Sequence, residues 1–121
     1  MAYDPNNIFA KILRGEIPCS KVYEDDFALA FNDINPQMPT HVLVIPKGPY
    51  ENQADFAMRA SEEEIIGFTR SLGKVVEQLG IASHGGYRAI ANCGLNGGQE
   101  VPHYHVHLLG GGNVGPMVCK R

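Results

Sequence analysis

Three histidines alternate with other residues towards the C-terminal end of the chain, at His103, His105 and His107. Side chains at positions i, i+2 and i+4 of a β-strand point to the same face. The spacing therefore predicts three imidazoles in a row on one face of a strand that runs from His103 to Leu109. A purely structural role is unfavourable for such a row, because each buried imidazole would need its own hydrogen-bond partner.

Metal binding is one chemistry open to this row. A strand rises about 3.3 Å per residue, so His103 and His107 would lie about 13 Å apart at their Cα atoms. Zinc–nitrogen bonds measure only about 2.0–2.1 Å, so one ion could reach two of the three imidazoles. No cysteine or acidic residue is spaced beside the row to complete the ligands. A metal site using His103, His105 and His41 remains a hypothesis, but we predict no metal.

Nucleophilic catalysis at phosphorus is the second chemistry. A neutral imidazole can attack phosphorus and form a covalent intermediate, provided that a hydrogen bond to its other nitrogen fixes the tautomer. The middle histidine of the row has two neighbours about 6.6 Å away at Cα that could exchange protons with it.

A glycine-rich loop lies just before the histidines. Nine of the 14 glycines fall between Gly85 and Gly115, and three of these lie within the loop 93–100. Glycine readily adopts positive φ, and successive backbone N–H groups in such a turn form a concavity that binds anions. The loop alone would also fit a tight hairpin connection, but the loop and the histidine row together indicate phosphate chemistry.

The composition limits the class of protein that carries this chemistry. Of the 121 residues, 44% are hydrophobic and 19% charged, which is typical of a globular domain. A formal net charge of −3 offers no broad basic surface for duplex nucleic acid. No apolar run approaches the roughly 20 residues that span a bilayer, and three widely spaced cysteines fit a reducing compartment. We expect one cytoplasmic domain over 1–121, without nucleic acid or membrane partners.

The rest of the chain predicts the elements that position the histidines. A short helix is expected to begin at Asp4-Pro5 and to end at Gly15. Ser61 and Glu64 have the form of a capping box that opens a long helix ending at Gly80, and residues 50–60 could include a further short helix. Strands are predicted at 21–24, 27–31, 41–45, 87–92 and 103–109. Successive strands indicate an α+β fold with an antiparallel sheet of about five strands, one long helix and one short helix.

Two glycines, Gly67 and Gly73, lie inside the long helix, where each costs about 1 kcal/mol relative to alanine. We expect close packing at these positions, with a twin subunit as one candidate neighbour.

The segment from His103 to Leu109 resembles the His-φ-His-φ-His-φ-φ signature, with φ an apolar residue, of the histidine triad (HIT) superfamily. The similarity extends to the branch of histidine triad nucleotide-binding proteins and covers nearly the whole chain up to about Gly111. The other matching segments are 8–12, 16–18, 33–37, 39–41, 44–47, 86–88 and 97–99.

The resemblance implies a HIT-like fold and a homodimeric, nucleotide-binding hydrolase that needs no metal or other cofactor. Its substrates would be nucleoside 5′-phosphoramidates or related derivatives of purine nucleoside monophosphates such as AMP and GMP. His105 would attack phosphorus and carry a covalent nucleotidyl group, assisted by His103, His107 and His41. A dinucleoside polyphosphate hydrolase, and a nucleotide-binding regulatory module with vestigial catalysis, are the alternatives.

The resemblance also implies a nucleotide pocket. Asp33 would hold the ribose hydroxyls, Asn92 and a backbone donor at Gly98 would contact the phosphate, and Gln99 and Glu100 would complete the loop. The apolar walls around the base would be Ile8, Phe9, Ile12, Ile34 and Leu43.

Two features depart from the animal members of this branch. Glu100 replaces a serine that often lies beside the phosphate, and we expect its carboxylate to point away, since it would repel a phosphate. The segment 112–121, expected to be loosely ordered, lacks their tryptophan-containing ending, so the choice of leaving group stays open.

Overall fold

A five-stranded antiparallel sheet forms the centre of the protein in a computed structural model that describes residues 2–119. The strands are β1 (Lys21–Glu24), β2 (Ala28–Asn32), β3 (Thr40–Pro46), β4 (Tyr87–Ile90) and β5 (Val106–Gly110). They lie in the order β1-β2-β3-β5-β4, and every neighbouring pair is antiparallel. The α+β architecture expected from the sequence is confirmed.

Within residues 2–119, four helices accompany the sheet: α1 (Ile8–Leu13), α2 (Gln53–Arg59), α3 (Glu62–Leu79) and the single turn α4 (Gly94–Gly97). The predicted long and short helices are α3 and α1, α2 occupies the ambiguous segment, and α4 lies within the predicted loop. Among the described residues, no helix has both the length and the apolar character needed to cross a membrane.

The ends of α3 follow the sequence signals, whereas the start of α1 does not. Ser61 and Glu64 form both hydrogen bonds of the capping box, and Gly80 ends α3 with φ of 68°, a conformation that glycine favours. The prediction that α1 begins at Asp4-Pro5 was wrong. Its N-cap is Asn7, whose side chain accepts a hydrogen bond from the N–H of Ala10.

The sheet separates two groups of apolar side chains, because successive residues of a strand point to opposite faces. One group packs under the helices and includes Ala28, Ala30, Val42, Val44, Val106 and Leu108 of the strands with Phe56, Phe68, Val75 and Val76 of α2 and α3. The other consists of Leu29, Phe31, Leu43 and Ile45 with Phe9 of α1. His41 and His107 alternate in step with this second group, so both lie on the face that carries α1.

The last strand begins at Val106, three residues later than predicted. The backbone of the preceding residues has other partners. The N–H of His103 donates to the carbonyl of Val101 at 2.9 Å, and the N–H of Tyr104 donates to the carbonyl of Tyr50 at 2.7 Å. The first two histidines of the row therefore precede the strand, although their side chains still alternate with that of Tyr104, which packs under the helices.

The two glycines of α3 differ in their surroundings. A Cβ atom at Gly67 would lie 2.3 Å from Cγ of Phe27, whereas a Cβ at Gly73 would meet no described atom within 4 Å. The close packing expected at Gly67 is therefore made within the chain, against the residue that precedes β2.

Arg88 joins the C-terminal segment to the sheet. The guanidinium of Arg88 in β4 donates to the carbonyls of Gly115 and Pro116 at 2.7 and 3.0 Å. Of the segment 112–121, residues 120 and 121 lie outside the described residues.

Replacing the two helical glycines by alanine should change stability in opposite directions. Gly73→Ala should raise the free energy of unfolding by roughly 0.5–1 kcal/mol, because alanine is the better helix former. Gly67→Ala should lower it, because the added methyl group overlaps the Phe27 ring and overpacking of this kind costs about 1–3 kcal/mol. Urea denaturation of both variants measures the difference. Equal stabilisation by the two substitutions would contradict the packing described for Gly67.

Candidate functional site

A cavity of about 600 Å³ opens beside α1 and the ends of the central strands. Its volume falls in the range of sites for small ligands. It brings together residues that lie far apart in the sequence. The sequence-predicted residues that line it are Ile8, Phe9, Ile12, Asp33, Ile34, His41, Leu43, Asn92, Gly98, Glu100, His105 and His107.

His105 lines this cavity with a fixed tautomer. Its Nδ1 lies 2.7 Å from the carbonyl oxygen of His103, and since a carbonyl only accepts hydrogen bonds, Nδ1 must carry the proton. In the neutral ring, Nε2 therefore keeps its lone pair. Burial lowers the pKa of His105, opposed by the bond to the His103 carbonyl and by the charges of Asp33 and Glu100. The result is a neutral imidazole with one nucleophilic nitrogen.

His103 is fully buried and lies behind the cavity rather than on its wall. Its Nε2 lies 2.9 Å from the carbonyl oxygen of Pro46 and must donate to it, so Nδ1 accepts from the hydroxyl of Tyr3 at 2.6 Å. Burial lowers the pKa of His103 to about 4. Of the three imidazoles predicted on one face, the first therefore does not reach the cavity, because its ring is enclosed by Tyr3, Phe9 and Pro46.

His41 and His107 form a hydrogen-bonded pair at the other side of His105. The backbone N–H of Gln37 donates to Nδ1 of His41 at 3.1 Å, so neutral His41 carries its proton on Nε2. That Nε2 lies 2.9 Å from Nδ1 of His107 and donates to it. Neutral His107 consequently has its own proton on Nε2. Burial, followed by the neighbouring His105 and His41, lowers the pKa of His107 to about 4.

Asp33 joins this pair, with Oδ2 3.4 Å from Nε2 of His41. The ligand atoms of Asp33, His41 and His107 all lie within 4.8 Å of one another, close enough to share a cation. The hypothetical metal ligands His103 and His105 are not part of this cluster. The two facing nitrogens of His41 and His107 already satisfy each other by a hydrogen bond.

The loop around α4 is held by Gln99, which does not line the cavity. Its amide nitrogen donates to the carbonyls of Glu51 and Val101 at 2.6 and 3.0 Å, and its oxygen accepts from the N–H of Gly94 at 3.1 Å. Gly98 does line the cavity, with φ of 74°. Its N–H, expected to serve the phosphate, donates to the carbonyl of Leu95 at 3.1 Å in this conformation.

Glu100 also lines the cavity, and its charge acts on His105. The expectation that this carboxylate points away from a bound phosphate stays a prediction. A position on the wall also permits an interaction with imidazole.

Several residues of the cavity were not singled out from the sequence. Phe31 could have been, because it alternates in step with Leu43 on the neighbouring strand. Tyr3 had no signal, since only the tertiary fold brings it to His103. The additional lining residues are Ile17, Pro18, Cys19, Ser20, Phe31, Asn32, Asn35, Gln37 and Val101.

Comparisons with known proteins agree with this arrangement. Residues 14–114 match the HIT domain model. The chain is 47% identical to the purine nucleoside phosphoramidase of Escherichia coli (strain K12) over 115 residues, 94% of each chain. It is 58% identical to an uncharacterized 13.2 kDa HIT-like protein of Azospirillum brasilense over 118 residues, 98% of this chain and 96% of that one.

A solved structure shows the same fold. The histidine triad protein of Clostridium difficile superimposes with a TM-score of 0.84 at 40% identity, covering 97% of this chain and all of the other. The match of the family model, these relatives and the histidines gathered at one cavity together establish that the chain belongs to the HIT domain family.

Proposed function

We propose that the protein hydrolyses purine nucleoside 5′-phosphoramidates through a covalent nucleotidyl-His105 intermediate. The observation that carries this proposal is the bond from Nδ1 of His105 to the His103 carbonyl, which leaves Nε2 as a nucleophile at the cavity wall. The named activity of the 47% identical relative supports the same reaction class.

The cavity offers a place for each part of such a substrate. Ile8, Phe9 and Leu43 provide apolar walls for the base. The Asp33 carboxylate has two acceptor oxygens suited to the ribose hydroxyls. The Asn92 side chain can donate to a phosphoryl oxygen near His105, so the phosphorus would lie within reach of Nε2.

In the first step, Nε2 of His105 forms a bond to phosphorus and the bond from phosphorus to the amine nitrogen breaks. The electron pair stays on the amine, which needs one proton to leave. A bound phosphoryl anion favours an additional proton on His107, beyond the one that each neutral ring of the His41–His107 pair carries, because opposite charge stabilises the protonated form. That pair then delivers the proton to the amine.

In the second step, water attacks the phosphorus of the intermediate. The His41–His107 pair accepts a proton from this water as the bond between phosphorus and Nε2 breaks. His105 returns to the neutral tautomer, because its Nδ1 proton has stayed on the His103 carbonyl throughout.

We also infer that the protein acts in the cytoplasm as a homodimer. β4 is an edge strand whose outer side has no neighbour in the sheet, and Ile66 of α3 and Tyr87 of β4 are exposed apolar residues. Both features fit a surface that a second copy covers. The odd number of cysteines fits a reducing compartment.

Replacing the proposed nucleophile should abolish turnover. His105→Ala should lower the hydrolysis of an adenosine 5′-phosphoramidate by more than about 10³-fold, because no other group can form the intermediate. AMP binding, measured by calorimetry, should persist. His84→Ala is the matched control, since His84 lies in an exposed turn, and it should keep wild-type turnover. Undiminished turnover by His105→Ala would refute the mechanism, and AMP binding without any wild-type turnover would favour the regulatory module.

The pH dependence should report a nucleophile that stays neutral in mild acid. Because burial lowers the pKa of His105, kcat/KM should hold as pH falls to 6.5 and decline only below that value. Circular dichroism must be recorded at each pH, since His103 and His107, with pKa values of about 4, also favour unfolding in acid. A decline in kcat/KM that begins above pH 6.5 with the fold intact would contradict the neutral, buried nucleophile.

The homodimer should be visible at equilibrium. Sedimentation of the full chain should give twice the mass of one chain at micromolar concentration. Substituting Ile66→Glu should shift the equilibrium towards single chains, because a charge would be buried at the interface. Met58→Glu, at a still more exposed apolar residue outside α3, is the control and should leave the mass unchanged. A monomeric wild-type chain would exclude the dimer.

A further inference from the structure

The cavity contains negative side chains but no lysine or arginine. Among the described residues that line it, Asp33 and Glu100 are the acidic ones, and none is a lysine or an arginine. His105 and His107 do not supply the missing positive charge near neutral pH, because burial holds the pKa of each below its usual value. The described wall therefore has two carboxylates and no lysine or arginine to balance them, yet the proposed substrate brings a phosphate.

One phosphoryl group can be held here by neutral donors. The Asn92 amide and the Nε2–H of His107 provide N–H groups without a full charge. A second phosphate, as in a dinucleoside polyphosphate, would bring further negative charge next to the carboxylates. Like charges placed together in a partly enclosed site repel strongly unless a cation lies between them.

Glu100 is placed to act on the group that leaves. It lies at the mouth of the cavity, since it lines the wall and is also exposed to solvent. It follows the loop that Gln99 holds in place and precedes His105 by five residues. The leaving group must depart on the side of phosphorus opposite to the attacking Nε2 and escape to solvent through the mouth of the cavity, where Glu100 is exposed.

We propose that Glu100 selects the leaving group by charge, favouring phosphoramidates whose leaving amine carries a further cationic group and rejecting anionic leaving groups. This inference rests on the proposed function and specifies its substrate class. Glu100 forms and breaks no bond in this reaction, and the bonds made and broken at phosphorus are those already described. The same charge disfavours the dinucleoside polyphosphates of the alternative activity.

Three adenosine 5′-phosphoramidates of similar size test the inference. Their leaving amines are ethylenediamine, propylamine and glycine, whose distal groups are cationic, neutral and anionic. The wild-type kcat/KM should fall in that order. Glu100→Gln should reduce the ratio of kcat/KM for the cationic substrate to kcat/KM for the anionic substrate by about three- to fivefold, which is the effect of one partly exposed charge pair. Glu100→Lys should reverse the order of the three kcat/KM values.

The three phosphoramidates also differ in intrinsic reactivity, but this difference is the same for every variant. It therefore cancels when the ratio of kcat/KM between two substrates is compared between variants. Glu77→Gln, which removes an exposed carboxylate from the far end of α3, is the matched control and should keep the wild-type ratio. The discrimination should shrink at high salt, which screens exposed charges. A ratio that is the same in wild type and Glu100→Gln would overturn the inference.

Binding without turnover separates this inference from the proposed function. Wild type should bind AMP more tightly than ADP, because the second phosphate of ADP lies towards Glu100, and Glu100→Gln should narrow the difference. If the difference in affinity between AMP and ADP narrows in Glu100→Gln but wild type hydrolyses none of the phosphoramidates, the proposed function fails and the selection by charge stands. If hydrolysis occurs but the difference does not narrow, the charge selection fails alone. Absence of binding by both nucleotides would overturn both.

Discussion

The bond from the Nδ1–H of His105 to the backbone carbonyl of His103 is the interaction on which the site depends. It decides which nitrogen of His105 is nucleophilic, and it does so with an acceptor that cannot itself be protonated at neutral pH. The carbonyl must therefore stay in place, and the His103 side chain holds it there. That ring is anchored at both nitrogens, by Pro46 on one side and Tyr3 on the other.

β3 supplies both ends of this arrangement. His41, near its start, pairs with His107, and the carbonyl of Pro46, at its end, accepts from His103. Because β3 lies between β2 and β5, it is held along both sides by antiparallel ladders. Two fixed points on one rigid strand thus set the spacing of the histidines, although His103 and His105 themselves lie outside the sheet.

The sequence predicted those parts of the site that follow from a period of two residues. The alternation of His105 and His107 with apolar residues gave their common face, and the β-branched run after His41 predicted the central strand. What it could not predict depends on contacts between distant segments. Tyr3 reaches His103 across 100 residues, and the tautomer of His41 is set by the backbone of Gln37, whose side-chain type carries no such information. The effect of Glu100 on His105 was not foreseen either, because only its repulsion from a phosphate was considered.

Burial lowers the pKa of His105, and the charges of Asp33 and Glu100 raise it. These two opposing effects serve different stages of the proposed reaction. Burial disfavours a charged ring and so keeps the imidazole neutral before attack, when a lone pair is required. Once Nε2 is bonded to phosphorus, the ring becomes positively charged, and the carboxylates of Asp33 and Glu100, whose charges raise the pKa of His105, stabilise it in that state. A lysine or arginine in their place would strengthen the grip on phosphate but would destabilise the cationic intermediate. A described wall with two carboxylates and no lysine or arginine therefore suits the cationic ring of the proposed intermediate.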